Sequence, residues 1–186
     1  MKFFCAILLI LSLCPQYTAA EPVQKNIGRV YSNTPKIEKF KKYYGSVQSG
    51  FLVFLGTEDI EGLETEIHLY FVNRKLKKVI MILGPRGIGE NNCLERYRKI
   101  VQVLNRKYGK YSHQHIHSDT LMNDLVTMSR CAPIKNQLYK ITNYWSNKNL
   151  DIVSELVGDD FGFYVEIEYS ESDKRSISKK DLKKIL

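Results

Sequence analysis

Two blocks of alternating apolar and polar residues, separated by one helical block, most constrain how this chain can fold. In residues 64–72, Ile67 and Leu69 alternate with Glu66 and His68, a period of two that is typical of a strand with one buried face. Further runs predict strands at residues 51–55, 76–83, 138–145, 150–157 and 161–169. The short polar turns between these runs predict two antiparallel meanders of three strands each.

The block between the meanders has a helical period. Leu94, Tyr97 and Val101 recur at intervals of three and four residues, which predicts an amphipathic helix. A second, shorter helix is predicted over residues 119–130, and a further short helix over residues 34–44. This order predicts an α+β fold, in which an antiparallel sheet built from two three-strand meanders is covered by an amphipathic helix and a second shorter helix.

The first residues of the chain have the composition of a secretory signal peptide. Lys2 precedes an apolar run, and small residues stand at the end of Thr18-Ala19-Ala20, just before Glu21. We therefore expect cleavage after residue 20 and a mature protein that is secreted or periplasmic. A lipoprotein signal ending at Cys14 is the alternative, although Leu13 is bulkier than the residue expected before a lipidated cysteine.

Composition shifts divide the rest of the chain into three parts. After the signal peptide at residues 1–20, a flexible polar leader spans 21–33, a single α+β domain spans 34–172, and a basic tail or short helix spans 173–186. The formal net charge of +8 favours contact with anionic lipid, anionic polysaccharide or acidic protein. Nucleic acid is not an expected partner, because the chain is exported and has no pattern of basic and stacking aromatic residues.

Two cysteines, Cys93 and Cys131, remain after signal cleavage. An even cysteine count in an exported chain predicts one disulfide bond between them. Two unpaired buried thiols are the alternative. Metal ligation by these cysteines has no support, because the sequence offers no Cys-x-x-Cys pair and no further thiol ligands.

Three of the four histidines, His113, His115 and His117, lie within five residues. In an extended segment, residues two apart point to the same side, so these imidazoles could bind Zn²⁺, with Asp119 as a further ligand. The simpler interpretation is a solvated polar loop without a metal. No catalytic motif accompanies the cluster, so the sequence assigns no catalytic residue. It also predicts no cofactor, and zinc is the alternative.

The chain contains twelve tyrosines, more than a core of this size needs. Tyr70, Tyr144 and Tyr164 fall on sheet elements, where tyrosine supplies a large contact area at low entropic cost. We predict that they contact a protein or glycan partner in the cell envelope or outside the cell. The competing interpretation is that they pack between the sheet and the helices.

The C-terminal tail combines an apolar stripe with basic residues. The basic residues are Lys179, Lys180, Lys183 and Lys184. Such a segment suits peripheral contact with an anionic membrane surface, although a frayed charged tail would have the same composition.

A helix ending at Tyr108-Gly109, followed by a strand bearing Trp145 before Leu150-Asp151-Ile152, resembles small exported bacterial proteins of unknown function. These proteins contain a strand-strand-helix-strand-strand unit, and the resemblance covers residues 64–169. It implies the sheet-and-helix layout and no catalytic residue. The sequence therefore predicts a secreted or periplasmic binding module without catalytic activity. The alternatives are a metal-dependent hydrolase that uses the histidine cluster, and an envelope protein associated with the membrane surface.

Overall fold

A computed structural model of the chain describes residues 24–57, 63–88, 93–118, 131, 134, 139–147, 149–159 and 162–172. Within these residues, eight strands form one antiparallel sheet in the order β1-β2-β3-β4-β8-β7-β6-β5. The strands are β1 (Phe40–Ser46), β2 (Phe51–Thr57), β3 (Glu64–Val72), β4 (Lys75–Ile88), β5 (His113–Ser118), β6 (Tyr139–Ser146), β7 (Leu150–Asp159) and β8 (Gly162–Glu171). Helix α1 (Cys93–Tyr108) follows β4.

The sheet consists of two four-strand meanders that meet at its centre. There β4 pairs with β8 over a register in which Ile80 opposes Glu168 and Ile82 opposes Glu166. Helix α1 carries the chain from the central strand β4 to β5 at the far edge, and it packs against β7 and β8 on one side of the sheet.

The core lies between that side of the sheet and the residues that cover it. In β3, Ile67 and Leu69 are fully buried, and Ile100 and Leu104 of α1 are buried against the same core. Burying each such side chain contributes about 1.5–3 kcal/mol through the hydrophobic effect. The apolar residues that alternate along the strands and those that recur every three or four residues along α1 therefore pack together in one core.

A buried hydrogen-bond network fastens α1 to the sheet. The Tyr97 hydroxyl donates to the Ser154 carbonyl oxygen at 3.0 Å and accepts from Asn143 Nδ2 at 2.7 Å. Asn143 Oδ1 in turn accepts from Gln114 Nε2 of β5 at 2.8 Å. Burial raises the pKa of Tyr97 to about 12, so this phenol stays neutral.

The amphipathic helix is present where the sequence predicts it. Its last turn is capped by Gly109, which has a φ of +86° and donates its N–H to the Asn105 carbonyl oxygen at 2.9 Å. The Trp145 indole donates to Asn105 Oδ1 at 3.1 Å and to the Gly109 carbonyl oxygen at 3.0 Å, which ties the helix end to β6.

The predicted fold class is wrong in two respects. The described chain has four strands in each meander instead of three, and it has a single α-helix, so the sheet dominates the fold. Residues 119–130, where the second helix is predicted, lie outside the described residues, as do the predicted signal peptide at 1–20 and the C-terminal tail at 173–186. The predicted strands at 51–55, 64–72, 76–83, 138–145, 150–157 and 161–169 are all present. Most boundaries differ by one or two residues, but the strand predicted at 76–83 extends five residues further, to Ile88.

The first additional strand, β1, replaces the helix predicted over residues 34–44. The position of Phe40 fits the period of a helix and that of a strand. In the structure Phe40 is buried beside Gly56 of β2, and a Cβ atom at position 56 would lie only 2.6 Å from the Phe40 ring. Gly45, which follows the predicted helix in the sequence, lies within β1. It has a φ of +84° and lies against the Phe51 carbonyl group, where a side chain would clash.

The second additional strand, β5, contains the histidine cluster, for which the simpler interpretation is a solvated polar loop. Each residue from His113 to Ser118 has a partner in β6, from Tyr144 to Tyr139. Because β5 has a single apolar residue, Ile116, its sequence lacks the apolar alternation by which strands are recognised. The pairing with β6 makes it a strand.

Candidate binding face

The side of the sheet away from α1 forms an open face, and the strand register shows which residues lie on it. Directly opposed residues in neighbouring strands share a face. His68 opposes Ile80, Ile80 opposes Glu168, and Glu168 opposes Val153, which opposes Tyr144. These side chains alternate with the buried core residues of the same strands, so the open face extends across the sheet from β2 to β5.

All three tyrosines singled out from the sequence lie on this open face. Tyr70 opposes Phe51 in β2, with ring centroids 4.9 Å apart, and Lys78 Nζ lies 5.9 Å from the Tyr70 ring. Tyr144 is 37% exposed and its ring lies 5.8 Å from that of His113. The three tyrosines belong to β3, β6 and β8, so the fold places them on one surface without bringing them into a single contact.

Tyr164 marks the more buried part of the open face. It opposes Val157 across β7 and β8. Burial raises the pKa of Tyr164, and the nearby carboxylates of Asp159, Glu166 and Glu155 raise it further. Its hydroxyl is therefore a neutral hydrogen-bond donor at physiological pH.

Three carboxylates lie close together at the centre of the open face. Glu155 and Glu166 oppose each other across β7 and β8, and Glu168 follows two residues after Glu166 on the same side. Glu168 accepts from Lys78 Nζ at 3.0 Å, and Lys140 forms an ion pair with Glu155. Glu166 forms neither a hydrogen bond nor an ion pair with the described part of the chain.

Glu166 is consequently the least compensated charge on the face. Burial raises its pKa, and the carboxylates of Glu155 and Glu168 raise it further. His68 and Lys78 lower the pKa of Glu166 by a smaller amount. A cation or a hydrogen-bond donor that approached Glu166 would offset this desolvation and repulsion.

His68 and Glu66 form a second polar element on the face. His68 Nε2 lies 3.0 Å from Glu66 Oε2, and the His68 ring makes an edge contact with Phe51 at 5.6 Å between centroids. The His68 side chain is 18% exposed. This pair flanks the central carboxylates, because Glu66 opposes Ile82, which opposes Glu166.

The three clustered histidines also point to the open-face side, at the edge of the sheet. His113, His115 and His117 oppose Tyr144, Thr142 and Lys140 of β6. Within the described ranges, no group of three or more His, Cys, Asp or Glu side chains is arranged to hold a metal ion. Asp119 lies outside those ranges, so zinc binding by this cluster stays a prediction.

Cys93 and Cys131 are a pair at disulfide distance. Their Cα atoms lie 6.2 Å apart, and both residues are buried, at the start of α1 and after β5. This agrees with the predicted pairing and with a role in holding the start of α1 to the segment that follows β5.

A concavity also lies outside the open face, where residues 24–27 pass the end of α1. Its volume is about 560 Å³, and Tyr108 and Glu171 help to line it. Glu171 already accepts from Lys75 and Lys77, which hold the pKa of that carboxyl below its ordinary value. The Tyr108 hydroxyl donates to Gln24 Oε1 at 2.9 Å. The Glu171 carboxylate and the Tyr108 hydroxyl in this concavity are therefore already bonded to other residues of the chain.

The predicted membrane-contact residues, Lys179, Lys180, Lys183 and Lys184, lie outside the described residues. Among the helices of the described residues, none has the length and apolar character needed to cross a membrane.

The sequence identified the tyrosines but missed the central carboxylates. In β8 the outward positions are Tyr164, Glu166 and Glu168, and this alternation is visible in the sequence. Their proximity to Glu155 depends on the register between β7 and β8, which the sequence pattern alone does not provide.

No protein-family model matches the chain, and no curated protein or solved structure shows significant similarity to it.

Proposed function

We propose that this protein is a non-catalytic binding module that holds a protein or glycan partner on its open face. The observation that carries the proposal is that Tyr70, Tyr144 and Tyr164, from three separate strands, share the face that α1 does not cover. The export predicted from residues 1–20 would place this partner in the cell envelope or outside the cell.

The chemistry of the face supports a binding role. Its tyrosines offer large, rigid contact area with hydroxyl groups that both donate and accept hydrogen bonds. The apolar Val153 lies between Tyr144 and Glu168, and the apolar Ile80 lies between His68 and Glu168. A partner that presents apolar groups around a cation or hydroxyl donor would complement this arrangement, with the donor over Glu166.

Site-specific photocrosslinking in the native host tests the proposal. A benzophenone side chain is introduced at Tyr70 or at Tyr164, and in a matched variant at Arg98, an exposed position on α1. We expect the same partner to be crosslinked from both open-face positions and not from position 98. Crosslinks formed only from position 98, or none from any position, would contradict the proposal.

A further inference from the structure

We propose that β5 pairs with β5 of a second copy of this chain, and that the histidines of both strands bind Zn²⁺ at this junction. The inference concerns the edge of the sheet. It is independent of the function proposed for the open face, which a single copy would perform.

The two edges of the sheet differ in how they are protected. Edge strand β1 has a register shift between Lys42 and Tyr44, and it carries Lys41 as well, devices that discourage pairing with another strand. Edge strand β5 has neither device. It pairs with β6 over residues 113–118 without a register shift and contains no lysine or proline.

The side chains of β5 are also accessible. Residues 113–117 are all exposed, and Ile116 retains 51% of its accessible surface. A regular edge strand with an exposed apolar residue is a template for an added strand. In the sheet order of the described strands, β5 has a neighbour on one side only.

One copy of β5 supplies too few ligands on its own. Successive histidines on one side of a strand are about 7 Å apart, so two neighbouring imidazoles can lean toward one ion while the third is too far away. The adjacent strand cannot complete the set, because it presents Tyr144, Thr142 and Lys140. Among the described residues of β5 and β6, no third imidazole lies within reach of such a pair, so we place the third imidazole across the open edge of β5.

A second copy supplies that imidazole because the strand sequence is nearly palindromic. Residues 113–117 read His-Gln-His-Ile-His, so antiparallel pairing about a twofold axis at His115 sets His113 opposite the partner's His117. His113 and His115 then converge with that imidazole on one Zn²⁺, which favours three or four nitrogen ligands in tetrahedral geometry. The twofold axis generates a second, identical site, so each chain binds one zinc.

The pairing should depend on the metal. A six-residue edge offers a short contact. Each mature copy would carry the full chain's formal net charge of +8 less the one charge of Lys2, and this positive charge opposes association. Zinc coordination adds bonds that only the paired strands can form. We therefore expect a monomer without metal and a dimer with zinc.

The test uses the mature chain without an affinity tag, with molar mass measured by light scattering during size-exclusion chromatography. With EDTA we expect a monomer. With one equivalent of Zn²⁺ we expect the mass to double and one zinc to be retained per chain, and Co²⁺ should give the absorption of a tetrahedral site. A monomer at saturating zinc, or an equal dimer in EDTA, would overturn the proposal.

Substitutions distinguish the contribution of strand pairing at the β5 edge from that of zinc coordination by the histidines. Ile116→Lys keeps all three histidines but places a charge on the edge, so this variant should remain monomeric with zinc. Val72→Lys changes a residue of β3 that is 57% exposed, and it should dimerise like the unaltered protein. His115→Asn should weaken zinc binding at least 100-fold. Unchanged dimerisation of Ile116→Lys, or unchanged zinc binding by His115→Asn, would overturn the shared site.

Discussion

Glu155 and Glu166 stand directly opposite each other on adjacent strands at the centre of the open face. Like charges in this relationship destabilise a sheet, and the described contacts compensate Glu155 through Lys140 while leaving Glu166 without an ion pair. An arrangement that costs folding free energy is consistent with a surface whose charge is used for binding.

Replacing Glu166 by Gln should stabilise the folded protein at neutral pH. The pKa of Glu166 is raised on folding, so its ionised form opposes folding above that pKa. The destabilisation disappears as pH falls below the ordinary value of a glutamate. We therefore expect Glu166→Gln to raise the free energy of unfolding at pH 7 by roughly 0.2–1 kcal/mol, with the gain lost near pH 4.

Urea unfolding at several pH values measures this effect. Glu168→Gln is the matched control, because Glu168 has an ion pair with Lys78 and should gain nothing on neutralisation. Equal stabilisation by both substitutions, or a Glu166→Gln gain that grows as pH falls, would contradict this interpretation.

The position of α1 depends on the Tyr97 hydroxyl. Tyr97→Phe removes the acceptor of the buried Asn143 side-chain N–H and the donor to the Ser154 carbonyl oxygen. Because buried polar groups are left unsatisfied, we expect a loss of about 1–3 kcal/mol in the free energy of unfolding. Tyr43→Phe, at a residue that is 73% exposed, should change stability by less than about 0.5 kcal/mol. Similar losses in both variants would show that the buried network is not the cause.

The cysteine pair gives a covalent prediction. A bond between Cys93 and Cys131 closes a loop of sequence separation 38, which the chain-entropy relation makes worth roughly 3–4 kcal/mol. The double substitution to Ala should lower the free energy of unfolding by up to that amount. Intact mass after alkylation, with and without reductant, tests the bond in protein recovered from its native compartment. Two alkylated thiols in the unreduced sample would refute it.

Contact of the tail with a membrane is a separate prediction. Lys179, Lys180, Lys183 and Lys184 should attract anionic lipid with about 1 kcal/mol each near the surface. In flotation with vesicles containing phosphatidylserine, the full chain should be recovered more efficiently than a chain ending at Ser172, and high salt should abolish the difference. Equal recovery of the two chains would exclude the tail as the contact.

The sequence predicts those helices and strands in which burial of one face against the core sets the periodicity. The strands on either side of Asn73 and the helix containing Tyr97 alternate or repeat because one face meets the core. The sequence does not predict strand β5 because β5 has only one apolar residue, Ile116. It does not predict β1 because the spacing of Phe40 and Tyr44 fits a helix equally well. Local pattern cannot resolve such segments when pairing with a distant strand decides their conformation.

The same reasoning explains what was predicted of the candidate site. The outward positions of Tyr70 and Tyr164 follow from alternation within their own strands. The proximity of Glu166 to Glu155 and Ile82 follows instead from the pairing of β8 with β7 and β4, which joins distant parts of the chain. Composition and alternation show which residues point outward, while the strand order shows which of them meet.

Alanine substitution on the open face, with affinity measured for the crosslinked partner, tests the central claim most directly. Tyr70→Ala, Tyr144→Ala and Tyr164→Ala are compared with Tyr43→Ala, an exposed tyrosine on the edge strand β1. We predict that at least one of the three weakens Kd about 30-fold, as expected for loss of roughly 2 kcal/mol at an interface centre, while Tyr43→Ala leaves it unchanged. Unchanged affinity in all three open-face variants would contradict the account.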